Sequence, residues 1–194
     1  MGTELSSIDA LMNSSGKVRS GFPGTKWSTR LDRELRSARD RMDLLARLGD
    51  LVCESGAALY AWVLMPNHIH ALLRTGSLSL SRFMQRLLGP YANAFNRRHK
   101  RSGHLFQNRF KNTLVEDEPY LLELVRYLHL NPVRSKLPVT VESLDNYRWT
   151  GHAVLLGKHE FAAQDTDFVL SLFGNRVGAA RQAYRHFVRG GSRT

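Results

Sequence analysis

Two histidines one residue apart, and a tyrosine one helical turn before an asparagine, are the side chains here best suited to chemistry. His68 and His70 fall in His68-Ile69-His70-Ala71-Leu72-Leu73-Arg74, a segment with the length and composition of a strand. Side chains alternate across a strand, so both imidazoles leave one face and can share a zinc, manganese or other divalent ion, given a third ligand. The plainer alternative is two polar residues on a half-exposed strand. Tyr127 and Asn131 project together beside the apolar stripe Leu121, Leu124, Val125 and Leu128 of a predicted helix, with Tyr120 on the same stripe. A tyrosine phenolate can form a covalent phosphodiester with DNA, and the Asn131 carbonyl oxygen could complete a metal site. Their plainer roles are a core residue with its hydroxyl at the surface and a helix C-cap.

These residues need elements to hold them. Leu35, Ala38, Met42, Leu45, Leu48 and Val52 recur at helical spacing from Leu31 onward, and Gly56 ends that helix. The apolar run Ala57 to Met65 has strand length, Pro66-Asn67 makes a turn, and the histidine segment runs back beside it. Ser79 is placed to cap a helix burying Leu80, Phe83, Met84, Leu87, Leu88, Tyr91 and Phe95, kinked at Gly89-Pro90. Asn96 to Gln107 reads as a basic loop and Phe110 to Val115 as a strand. The nucleophile helix opens at Glu116-Asp117-Glu118-Pro119 and is expected to stop at Asn131-Pro132. Trp149 to Leu156 predicts a short helix, and Asp165–Phe173 with Val177–Val188 a helical pair hinged at Gly174-Asn175. That pair carries Arg176, Arg181, Arg185 and Arg189, and the simplest expectation is that it packs on the core. An accessory DNA contact or a truncated helix-turn-helix is the alternative.

The chain of 194 residues has a net charge of +11, which points to a polyanionic partner, nucleic acid before an anionic membrane surface. Hydrophobic residues make up 42% of it, so it reads as globular. No apolar run is long enough to span a bilayer, and no secretory leader is expected. The lone Cys53 argues against a thiolate zinc site and suits a reducing cytoplasm. Between Glu54 and Glu116 there is no acid at all, while that stretch holds nine Lys and Arg residues from Arg74 to Lys111. The middle of the chain is therefore expected to bind a polyanion.

Four motifs in order carry a family resemblance. Ala61-Trp62-Val63-Leu64-Met65-Pro66-Asn67-His68-Ile69-His70 resembles the His-hydrophobic-His motif of single-tyrosine transposases. The match continues through Phe95-Asn96-Arg97-Arg98-His99, Ser102-Gly103-His104-Leu105-Phe106-Gln107-Asn108-Arg109 and Tyr127-Leu128-His129-Leu130-Asn131-Pro132-Val133-Arg134. It is most similar to the transposase-like proteins associated with repetitive extragenic palindromes in bacteria, and covers about Arg39 to Gly157. The resemblance implies an α/β (α+β) fold, with an antiparallel, ferredoxin-like sheet flanked by helices and a C-terminal helical extension. It implies that His68, His70 and Asn131 hold Mg²⁺ or Mn²⁺, and that Tyr127 cuts single-stranded, hairpin-bearing DNA through a 5′-phosphotyrosine. It further implies a cytoplasmic, nucleoid-associated bacterial protein that can work as a homodimer. For such a substrate, Arg97, Arg98, Lys100, Arg101, Arg109 and Lys111 are the candidate phosphate contacts, with Arg97 and Arg98 foremost. His104 and Phe106 are candidate stacking surfaces, as are His99 and Phe110.

The start of the chain departs from the family pattern, which has a Tyr-His-Val-x-x-Arg-Gly strand just after Pro-Gly. Here Phe22-Pro23-Gly24 is followed by Thr25-Lys26-Trp27-Ser28-Thr29-Arg30, which does not alternate like a buried strand. A local frame change in the gene would give this appearance. The expected organisation is accordingly a poorly defined segment over residues 1–30, a catalytic core over 31–157 and a helical extension over 158–194. The competing functions are a nicking and joining transposase, a DNA-binding relic that no longer cleaves, and a small metal-dependent nucleotide hydrolase. Ala71 and Leu72, standing where a further alternate histidine would be wanted, weaken the last.

Overall fold

The computed structural model describes residues 24–31, 35, 37–107, 109–115, 117–135 and 137–191. The elements run β1 (Gly24–Arg30), α1 (Ala38–Ser55), β2 (Ala58–Leu64), β3 (His68–Arg74), α2 (Leu80–Arg98), β4 (Lys111–Val115) and α3 (Glu118–Arg134). Then follow α4 (Val141–Leu144), α5 (Gly151–Leu155), α6 (Thr166–Ser171) and α7 (Val177–Gly190). The four strands form one antiparallel sheet in the order β2-β3-β1-β4, with helices on both faces.

The sheet corrects the expectation for the start of the chain. Gly24–Arg30 is an inner strand, paired with β3 on one side and β4 on the other, so the sheet begins before residue 31. The strand's alternation is present, but polar residues fill one of its two faces. Trp27 and Thr29 turn to one side, Trp27 fully buried in the core shared with α1 and α2. Lys26, Ser28 and Arg30 turn to the other, which in cross-strand register carries Leu72, His70 and His68.

Each helix covers one face with an apolar stripe. Ser37 caps α1 by accepting from the Arg39 N–H, and Gly56 closes it in the left-handed region at φ 64°. The helix starts at Ala38, not Leu31, and its buried face is rotated from the expected one. Leu44, Leu48, Leu51 and Val52 are inside, whereas Met42 is 54% exposed. Across the same core lies α2, burying Phe83, Met84, Leu87, Tyr91 and Phe95 and running through Pro90 to Arg98, so the basic loop begins later than expected.

The opposite face of the sheet is covered by α3, through Leu121, Leu124, Val125 and Leu128. This helix also corrects the sequence reading, because Pro132 lies inside it and the helix continues to Arg134. Proline at 132 withholds the N–H that would reach the Leu128 carbonyl. The Asn131 side-chain amide donates there instead at 3.4 Å, and to the Tyr127 carbonyl at 2.9 Å. The C-terminal helices pack on this same core through Val169, Leu170, Ala180, Tyr184 and Val188.

Candidate active site

The β2–β3 turn and the pleat of β3 set the histidine pair. Their ring centroids are 4.8 Å apart with the planes at 86°. His68 Nδ1 lies 2.7 Å from Asn67 Oδ1; a carboxamide oxygen accepts, so Nδ1 carries the proton and Nε2 keeps its lone pair. Burial, then the nearby Arg30 charge, lowers the His68 pKa to about 4. Burial, then the charges of His68 and Lys26, lowers that of His70 to about 3. Both rings are therefore neutral at ordinary pH, the form in which an imidazole nitrogen can bind a metal.

A groove of about 890 Å³ opens over this face of the sheet, and His68, His70 and Tyr127 all line it. Tyr127 is half-buried on α3, and the Lys26 Nζ sits 4.7 Å from its ring centroid. Arg30, Arg109 and Lys111 share the lining, and no described lining residue is acidic. The groove is thus shaped and charged for an anion reaching both the histidines and the phenol.

The donors present fit a divalent ion in part. His70 Nδ1 is buried with no hydrogen-bond partner among the described residues, as a nitrogen waiting for a ligand would be. Two neutral imidazoles are suitable ligands, but the described residues contain no cluster of three His, Cys, Asp or Glu. Asn131 is absent from the described groove lining, its amide nitrogen being held against its own helix.

The expected DNA contacts separate into two groups. Arg109 and Lys111 line the groove. Arg97, Lys100 and His104 are exposed at and beyond the end of α2, and Arg101 bonds Asn96 Oδ1 at 3.3 Å; none of these lines it. Arg98, a foremost candidate, is turned elsewhere. Its guanidinium pairs with Asp40 and lies 2.7 Å from Asp43 Oδ2, and His99 reaches Asp40 at 3.0 Å. Burial pushes the Asp43 carboxyl up, but the Arg98 and Arg47 hydrogen bonds more than offset this and its pKa is lowered. Arg98 is a clasp between α2 and α1. Phe106 likewise packs on the core beside Tyr91 and bridges to Leu31, which removes one face from base stacking.

Lys26, Ser28 and Arg30 were not among the expected site residues. The signal for them was the alternation of Lys26, Ser28 and Arg30 against Thr25, Trp27 and Thr29, legible once polar residues are allowed on a buried face. At the other end of the chain, Arg181 bonds the Leu155 carbonyl at 3.1 Å, while Arg185 and Arg189 pair with Asp145. These three arginines of the helical pair thus have structural partners. No described helix is long and apolar enough to cross a membrane.

Comparison with known proteins agrees with this architecture. A solved structure of a REP-associated tyrosine transposase bound to a REP hairpin superposes with a TM-score of 0.57 at 15% identity. The match covers 78% of this chain and 98% of that one. A transposase from Deinococcus radiodurans R1 matches at 18% identity and a TM-score of 0.42, over 58% of this chain and 95% of that one. None of the curated proteins matches the chain in sequence. The family model of IS200-like transposases matches residues 27–131, more than half the chain and a span that holds the second half of the inner strand, both histidines, Tyr127 and Asn131. The chain belongs to the IS200-like transposase family.

Proposed function

We propose that this transposase cuts and rejoins single-stranded DNA with Tyr127 as nucleophile, His68 and His70 holding a divalent ion, Mg²⁺ or Mn²⁺. The observation that carries the reading is the shared groove, where a neutral histidine pair and a tyrosine meet among cations. In the reaction the Tyr127 oxygen bonds phosphorus as the bond to the 3′ oxygen breaks. The phenolic proton goes to solvent and the departing oxygen takes one up, leaving a 5′-phosphotyrosine and a 3′-hydroxyl. Attack by another 3′-hydroxyl reverses the step and joins strands without an external energy source. A divalent ion, when bound, polarises the phosphoryl oxygens and fixes the orientation of the ester. Arg109 and Lys111 hold the backbone leading to the cut. The similar tyrosine transposase was solved on a REP hairpin, and by that likeness the substrate here is a single strand bearing a hairpin.

One observation favours a second reading. Asn131 is absent from the described groove lining, and without a third protein ligand the chain would be a DNA binder that no longer cleaves. Labelled hairpin single strands incubated with Mg²⁺ or Mn²⁺ decide the matter. We expect a covalent adduct that survives denaturation, needs the metal and is lost in Tyr127→Phe. Binding of the same strands with no adduct under either metal would leave the binder.

A further inference from the structure

Lys26 lies on the inner strand β1 and is only 8% exposed, yet it lines the groove. Its register partner on β3 is Leu72, while Ser28, two residues on, faces His70. Lys26 and His70 are therefore diagonal neighbours on one face of the sheet, roughly 7–8 Å apart at the backbone and within reach of a lysine side chain. On the other side its Nζ stands 4.7 Å from the Tyr127 ring centroid.

We propose that Lys26 is a catalytic residue, its ammonium holding the non-bridging oxygens of the scissile phosphate between Tyr127 and the histidines. This rests on the nicking function proposed above. The charge is fixed by β1 before substrate arrives, and in a partly desolvated groove it acts more strongly on a phosphate than it would in water. It differs in kind from Arg109 and Lys111, whose exposed charges can hold any phosphate along the strand. Lys26 reads one linkage, the one beside the phenol.

The test walks a single uncharged methylphosphonate through a hairpin strand and measures binding, without divalent metal, to the Tyr127→Phe protein, which keeps the ring under the ammonium but leaves the DNA uncut. One linkage is expected to lose about tenfold in affinity when neutralised, a size usual for one charge-assisted contact. Lys26→Met should abolish the loss at that linkage only, and Lys26→Arg should retain it. Should Lys26→Met lower the melting temperature, Lys26→Gln takes its place. A penalty that persists in the uncharged variants, or no penalty at any linkage, overturns the proposal. With Tyr127 restored, Lys26→Met should slow single-turnover adduct formation about a hundredfold. If the native protein forms no adduct, the nicking function fails, and the linkage-specific binding still judges Lys26.

Discussion

Arg98 and Lys111 carry the same charge and lie in the same acid-free stretch of sequence, yet they face different partners. Arg98 reaches back from α2 to Asp40, 1% exposed, and to Asp43. Lys111 stands at the start of the edge strand and lines the groove. A basic run shows that a polyanion can bind, but not which of its members do. The neutralising acids of Arg98 lie more than fifty residues away in the chain. The two roles give opposite signatures. A lysine that neutralises one phosphate of a single strand contributes about 0.7 to the slope of log affinity against log salt. Lys111→Ala and Arg109→Ala should each reduce the slope by about that amount. Arg98→Ala should leave the slope unchanged and lower stability by about 1–2 kcal/mol, discounted for partial exposure, because Asp40 would lose its main partner. A salt titration beside a denaturant melt reads both. An Arg98→Ala protein of native stability with a shallower slope would restore it as a DNA contact.

At the level of elements, local spacing was enough for the histidine strand, the helix bearing Tyr127 and the C-terminal pair, because each shows its period within its own segment. Two misreadings have a common physical cause. β1 hides behind Lys26, Ser28 and Arg30, polar residues that its neighbours and the groove accommodate; only pairing with β3 and β4 makes it a strand. α3 outruns Pro132 because a side chain supplies a bond near the missing one and the helix is held against the sheet. In both, tertiary contacts override a local rule, and in both the exception lies at the site. The groove cations of β1 could not be found from spacing, since their nearness to His68 and His70 depends on a strand register spanning some forty residues. The inner position of β1 has a measurable consequence. Trp27 is fully buried between the sheet and the α1–α2 layer, so Trp27→Ala should cost about 3–5 kcal/mol in chemical denaturation. A cost below about 1 kcal/mol, as at a surface position, would mean that β1 is not the centre of the sheet.

At the scale of the whole molecule, the C-terminal helices are joined to the helix bearing Tyr127 by a buried polar chain. Tyr184 on α7 places its hydroxyl 2.7 Å from Nδ1 of His129 on α3 and 2.7 Å from Nδ1 of His152 on α5. His152 Nε2 lies 3.1 Å from Asp145, which also pairs with Arg185 and Arg189. One proton assignment satisfies every donor. His152 donates from Nε2 to the carboxylate, Tyr184 donates to His152 Nδ1, and His129 donates from Nδ1 to the Tyr184 oxygen. His129 Nε2 then carries only a lone pair, in keeping with its having no partner among the described residues. The chain requires both histidines neutral. Burial lowers the His152 pKa below 6.5 despite the opposing hydrogen bond that its ring donates to Asp145, and burial lowers that of His129 well below it. The unfolded chain therefore binds more protons than the folded one once pH falls below 6.5, and stability declines with acidity from there. Asp145 acts in the same direction at lower pH. Burial raises its pKa, but hydrogen bonds from His152 and Arg185 outweigh that and hold it below 3.8, so its stabilisation is lost only as pH falls past that value. Tyr184→Phe strands the His129 donor and the His152 acceptor together, and should cost about 2 kcal/mol or more at pH 7.5. The His152→Gln variant removes one titrating ring and should flatten the decline between pH 6.5 and 5 relative to the native protein. Denaturant melts across that range measure both effects. A native stability that stays level from pH 7.5 to 5 would show that these imidazoles take up protons without leaving the folded state, and the assignment would fail.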